Sequence, residues 1–153
     1  MAIAELKDRP NLAADSRLFK LYSQFAQLLS EVRKQKLPEN TIASINNDIA
    51  ELNTLPDGDE LRKAVKKKQA AIIKMLEKEY KIVPKNYYRN LWMAIGIGAI
   101  GLPFGALFST FVRNMAFFSI GLPIGIAIGA GVGSSKDKKA LEEGRQLDVE
   151  VKF

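Results

Sequence analysis

The sequence predicts an all-α membrane protein, with a cytoplasmic helical bundle or coiled-coil hairpin followed by a two-helix transmembrane hairpin and a short tail. Three observations predict it. The 153 residues carry a net charge of +6, yet the 23 residues between Arg89 and Arg113 and the 22 between Arg113 and Lys136 contain no charge at all. A helix needs about 20 apolar residues to cross roughly 30 Å of hydrocarbon, and both runs supply them. Upstream, apolar residues recur at spacings of three and four, the period of an amphipathic helix.

Residues 1–14 show no such period and read as a flexible N-terminus. They lack the apolar core of a signal peptide and the arginine-rich character of a transit peptide. Residues 15–83 predict about three helices. The first runs from about Asp15 to Lys36, with Leu18, Tyr22, Phe25, Leu29 and Val32 on one face. Leu37-Pro38 ends it, because the residue before proline avoids the helical region. The second runs from Glu39 to Asn53 with Ile42, Ile45, Ile49 and Leu52. Pro56-Asp57-Gly58 reads as a turn, and Asp57 with Glu60 three residues on as a capping-box variant for the third helix. That helix extends to about Ile82 and aligns Leu61, Val65, Ile72, Leu76 and Val83. One stripe per helix makes a thin core, so a partner or a second copy is expected to complete it. Lys66-Lys67-Lys68 predicts a solvated face that could meet anionic lipid headgroups.

Residues 84–90 read as a juxtamembrane hinge between bundle and membrane. The transmembrane helices are placed at 91–112 and 115–133, joined by a turn at Arg113 and Asn114. Lys74, Lys78, Lys81, Lys85 and Arg89 precede the hairpin, and Lys136, Lys138, Lys139 and Arg145 follow it, against Arg113 alone in the turn. The positive-inside bias therefore puts both termini in the cytoplasm and absorbs the basic excess, so nucleic acid is not an expected partner. A bacterial inner membrane is the expected location. Tyr87, Tyr88, Arg89, Trp92, Arg113 and Lys136 stand where residues anchor at the bilayer interface.

Inside the hairpin, Ile100-Gly101-Leu102-Pro103-Phe104-Gly105 recurs as Ile120-Gly121-Leu122-Pro123-Ile124-Gly125. Small residues stand every four positions, as Gly101, Gly105 and Ser109 on one helix and Gly121, Gly125, Gly129 and Gly133 on the other. Such a glycine zipper lets backbones approach, which matters in lipid, where helices associate by packing. Measured from the turn, Gly101 should lie level with Gly125, and Gly105 with Gly121. Ala94 with Gly98 and Ala127 with Gly131 form further small faces, which predict contacts with other membrane subunits or with copies of this chain. Pro103 and Pro123 each remove a main-chain hydrogen bond, to Ala99 and Ser119, and predict kinks.

Residues 134–153 form a polar cytoplasmic tail that ends in an alternation of Leu147, Val149, Val151 and Phe153 with charged residues. Alternation signals a strand with one buried face. No second strand is evident in the sequence, so these residues are expected to dock on the sheet edge of a partner or to fray.

The chain has neither cysteine nor histidine. That excludes disulfides and thiolate chemistry and removes the commonest general base and metal ligand. No catalytic, cofactor or metal residue can be named, and an enzyme is not expected. The expected function is a non-catalytic anchor, scaffold or accessory subunit of a membrane assembly. The alternative is a small homo-oligomeric channel or pore, since glycine-striped hairpins can close into rings.

Overall fold

Why residues 17–80 form three helices is written in their burial. A computed structural model describes residues 2–13 and 16–151 and places α1 at Arg17–Arg33, α2 at Glu39–Thr54 and α3 at Asp59–Tyr80. Tyr22, Phe25, Leu28, Leu29 and Val32 of α1, Ile45, Ile49 and Leu52 of α2, and Leu61, Val65, Ile72, Ile73 and Leu76 of α3 are buried. These are the helix-period positions, and the chain between them turns at Pro38 and Gly58. Leu18 and Ile42 lie at the margin of the core, half exposed. Ser16 caps α1, its side chain accepting from Phe19 N. Asp15 lies outside the described residues. Lys68 bridges α3 to α2, donating to Asp48 at 2.7 Å and Glu51 at 2.6 Å. Those bonds hold its ammonium above the usual lysine pKa. Of Lys66-Lys67-Lys68, only Lys66 and Lys67 therefore stand exposed.

Two main-chain connections differ from expectation. Asp57 does not cap α3. Gly58, at φ 151°, is the N-cap and makes no side-chain capping bond, while Asp57 pairs with the Arg9 guanidinium. A long-range ionic partner outcompetes the local cap. The N-terminal segment is likewise not free. Residues 2–9 lie along α1 and α2 as a strap, with Ile3 buried and Arg9 donating to the carbonyls of Leu52 and Leu55 at 3.0 and 2.9 Å. Arg9 thereby satisfies carbonyls at the open end of α2 and sits 5.4 Å from the Tyr22 ring centre.

The C-terminal alternation does form a strand, β2 at Gln146–Glu150, but it has a partner within the chain. Val83–Lys85 forms β1, and the two make a two-stranded sheet. Val83, Leu147, Val149 and Val151 are all buried. This corrects the expected absence of a second strand. A three-residue strand containing proline is too short to show alternation, so its partner looked unpaired. Phe153 lies outside the described residues.

The chain divides into two compact units, Met1–Pro84 with Leu147–Phe153, and Lys85–Gln146. The second is a helical hairpin. Its first arm runs through α4 (Tyr87–Ile95), a π-helical segment (Gly96–Gly101) and α5 (Leu102–Val112). Its second arm opens with a 3₁₀ segment (Met115–Ile120) and continues as α6 (Gly121–Glu142). Both arms exceed the expected spans. The first starts at Tyr87, inside the expected hinge, and the second runs on to Glu142, into the expected tail of residues 134–153. Pro103 and Pro123 mark changes of helical pitch. Pro103 follows the π turn, and Pro123 sits in the first turn of α6, where a missing N–H costs little.

Candidate functional site

The two arms meet along a face made almost entirely of glycine. Gly96, Gly101, Gly105, Gly121, Gly125, Gly129 and Gly133 are buried, and Ser109 is 3% exposed. A β-carbon on Gly125 would stand 2.9 Å from Cα of Gly101, and one on Gly121 would stand 2.8 Å from Cα of Gly105. Those are the level pairs that the spacing from the turn predicts. Each buried glycine has a main-chain carbonyl where its side chain would be. Gly96 faces the carbonyl of Gly125, and Gly125 that of Gly96. Gly101 and Gly121 face each other in the same way. Such reciprocal approach is the geometry of Cα–H···O contacts between helices, worth about 0.5–1 kcal/mol each. Further along, Gly105 meets the carbonyl of Phe118, Gly129 that of Trp92, and Gly133 that of Tyr88.

Gly96 belongs to this face because of the π turn. A period of four from Gly101 lands on Ile97. Leu102 N–H instead bonds to the carbonyl of Ile97, five residues back, so one extra residue enters the turn. Gly96 and Gly101, five apart, then share a side. Gly98 and Gly131, by contrast, face open space, and Ala94 and Ala127 are exposed with them.

The turn is built from Arg113 and Asn114. Asn114 N–H reaches back to Ser109 O at 3.0 Å, and Arg113 takes the left-handed conformation at φ 55° that glycine usually supplies there. The Asn114 side chain then caps the second arm by accepting from Ala116 N at 2.9 Å.

The opposite end is closed by a residue that the spacing alone did not reveal. The stripe continues from Gly133 to Asp137 and Ala140, both buried. Asp137 accepts from Tyr88 N at 3.0 Å with one oxygen and from Arg89 N at 2.9 Å with the other. Asn86, the N-cap of α4, makes no side-chain capping bond. A carboxylate on α6 thus satisfies the first turn of α4, where both the free N–H groups and the helix dipole favour an anion. Around it gather several expected interface residues. Tyr87 and Tyr88 meet edge to face at 5.3 Å, and Lys136 stands 5.4 Å from the Trp92 ring centre. Gln146 donates to the Asp137 carbonyl at 3.3 Å. Arg89 is half-buried, and its Nε has no hydrogen-bond partner among the described residues. Arg113 is exposed at the far end.

Three hydroxyls of the hairpin bond to main-chain carbonyls of their own arm. Ser109 and Thr110 both donate to Ala106 O, at 2.9 and 2.8 Å, and Ser119 donates to Ala116 O at 3.1 Å. No family model, curated protein or solved structure matches the chain.

Proposed function

We propose that this chain is a non-catalytic membrane protein that anchors or scaffolds a larger membrane assembly, with the hairpin spanning the bilayer and both termini in the cytoplasm. The observation that carries this reading is apolar surface that the described residues of the chain leave uncovered. Each arm contains an 18-residue stretch of mean hydropathy 1.9, of which only 17% is buried. A core helix of a soluble protein buries such a stretch. Here Leu107, Phe111 and Met115 are 73%, 87% and 78% exposed, and lipid is the solvent that tolerates them.

The inner glycine face is spent on closing the hairpin. The small residues left outside, Ala94, Gly98, Ala127 and Gly131, are those a neighbouring helix could approach, either from another subunit or from a copy of this chain. The channel alternative draws less support, because the hydroxyls that would line a wet path bond to carbonyls within their own helices. Orientation rests on the excess of lysine and arginine at the open end of the hairpin.

Native mass spectrometry of the protein, extracted gently at natural abundance, tests this. A fixed stoichiometry with other chains is expected. A ring of identical copies that conducts ions after reconstitution would replace the scaffold reading with the pore.

A further inference from the structure

The strap is held in an unusual way. Asn46 accepts from Ala4 N at 2.7 Å and donates to Ala2 O at 3.0 Å. Asn53 accepts from Lys7 N at 2.8 Å and donates to Glu5 O at 3.1 Å. Each amide side chain thus clamps one N–H and one C=O of the strap, as a neighbouring strand would. The two asparagines are seven residues apart on α2, about 10.5 Å along its axis. The two clamped stations are three strap residues apart, about 10 Å of extended chain. Helix and strap are therefore in register. From the other side, Arg33 of α1 donates to Ile3 O and Ala4 O at 3.2 and 2.6 Å, and Tyr22 donates to Lys7 O at 2.8 Å.

Apart from the Arg9 side chain, these polar contacts fall on strap backbone. Side chains enter only every third residue, where Ile3 is buried and Leu6 and Arg9 are half-buried while their neighbours are exposed. The fit is incomplete at the middle position. Leu6 borders two open clefts, one of about 180 Å³ against Ala26 and Leu29 and one of about 260 Å³ against Phe19 and Tyr22.

We propose that the furrow between α1 and α2 is a binding site for an extended peptide segment of a partner protein, and that Ala2–Arg9 occupies it in cis as a displaceable strap. The fitting segment presents an aliphatic residue, a large apolar or aromatic residue three positions on, and an arginine three beyond that. The aromatic residue fills the space that Leu6 leaves. The site lies within the helical unit and does not rest on the membrane reading.

The test uses the full-length chain carrying Ile3→Asp to loosen the strap, and fluorescent peptides spanning residues 2–12. Saturable binding is expected, with the Leu6→Phe peptide binding more tightly than the chain's own sequence. Methylating the peptide nitrogens of Ala4 and Lys7, or adding Asn46→Ala and Asn53→Ala to the protein, should weaken binding at least about tenfold, since each removes hydrogen bonds to the strap backbone. Methylated and unmethylated peptides binding alike would overturn backbone recognition. Tighter binding of the chain's own sequence would make a second copy the occupant and end the assignment to a partner. Hydrogen exchange on the unmodified protein provides an independent check. The Ala4 and Lys7 amides should exchange at least about a hundredfold faster than that of Ile49. Equal rates would mean that the strap is a fixed part of the bundle, and the proposal would fall.

Discussion

Asp137 holds two main-chain N–H groups with one carboxylate, so its removal should be felt well beyond its own helix. Replacing it with alanine leaves Tyr88 and Arg89 N–H without an acceptor at a buried helix start. That should lower the stability of the hairpin by about 2–3 kcal/mol, read as a lower midpoint of unfolding in denaturing detergent. Asp137→Asn keeps one acceptor oxygen and should cost about half as much. Gln69 offers the opposite case. It is buried in α3 between Val65 and Ile72, and its side-chain oxygen has no hydrogen-bond partner among the described residues. Gln69→Met fills the same volume without that orphan and should stabilise the bundle by about 1 kcal/mol in urea titration. Neither role was legible beforehand. A charge that follows a glycine stripe reads as the start of a polar tail, and whether a mid-helix glutamine finds a partner depends on packing that no spacing records.

At the scale of elements, the period of four on α6 carried the reading furthest. Gly121, Gly125, Gly129 and Gly133 share one face because nothing interrupts that helix. The first arm hid more, because the π turn shifts the register and brings Gly96 inward in place of Ile97. An extra residue per turn leaves no mark in composition, although Pro103, which cannot continue a regular ladder, was the available hint. The strand pair was half legible. Leu147, Val149 and Val151 alternate over enough residues to show a face, whereas Val83–Lys85 does not.

This geometry separates two kinds of glycine. Gly125→Leu drives a side chain into the carbonyl of Gly96 and should separate the arms, with a loss of about 3 kcal/mol or more. Gly131→Ala meets nothing within 4 Å and should instead raise hairpin stability by about 0.5–1 kcal/mol through helix propensity. Detergent-unfolding midpoints of the two variants should therefore move in opposite directions. Among the three N-terminal helices, the Lys68 link between α2 and α3 carries a pH signature. Because its folded pKa is raised above 10.5, its contribution is fully present below that pH. It should fade as pH rises through the folded value. The difference in urea midpoint between the native chain and Lys68→Met should be small at neutral pH, since the pair is partly exposed, and should vanish in strong alkali.

For the molecule as a whole, the division of charge carried the architecture. Two uncharged runs separated by Arg113 and Asn114 gave a hairpin, and the periods upstream gave three helices. Long-range polar contacts escaped the reading. The strap depends on Asn46, Asn53, Arg33 and Tyr22, each unremarkable in its own segment, and on a repeat of three at Ile3, Leu6 and Arg9 that matches neither helix nor strand. The central claim remains that the hairpin crosses a bilayer, and the absence of cysteine makes it directly testable. Single cysteines at Asn114 and Ser135 mark the turn and the open end of the hairpin. They can be labelled with a membrane-impermeant maleimide in sealed vesicles of either orientation. The account predicts that Asn114→Cys reacts only from the non-cytoplasmic side and Ser135→Cys only from the cytoplasmic side. Labelling of both from the same side, or release of the unlabelled chain from membranes by alkaline carbonate, would contradict it.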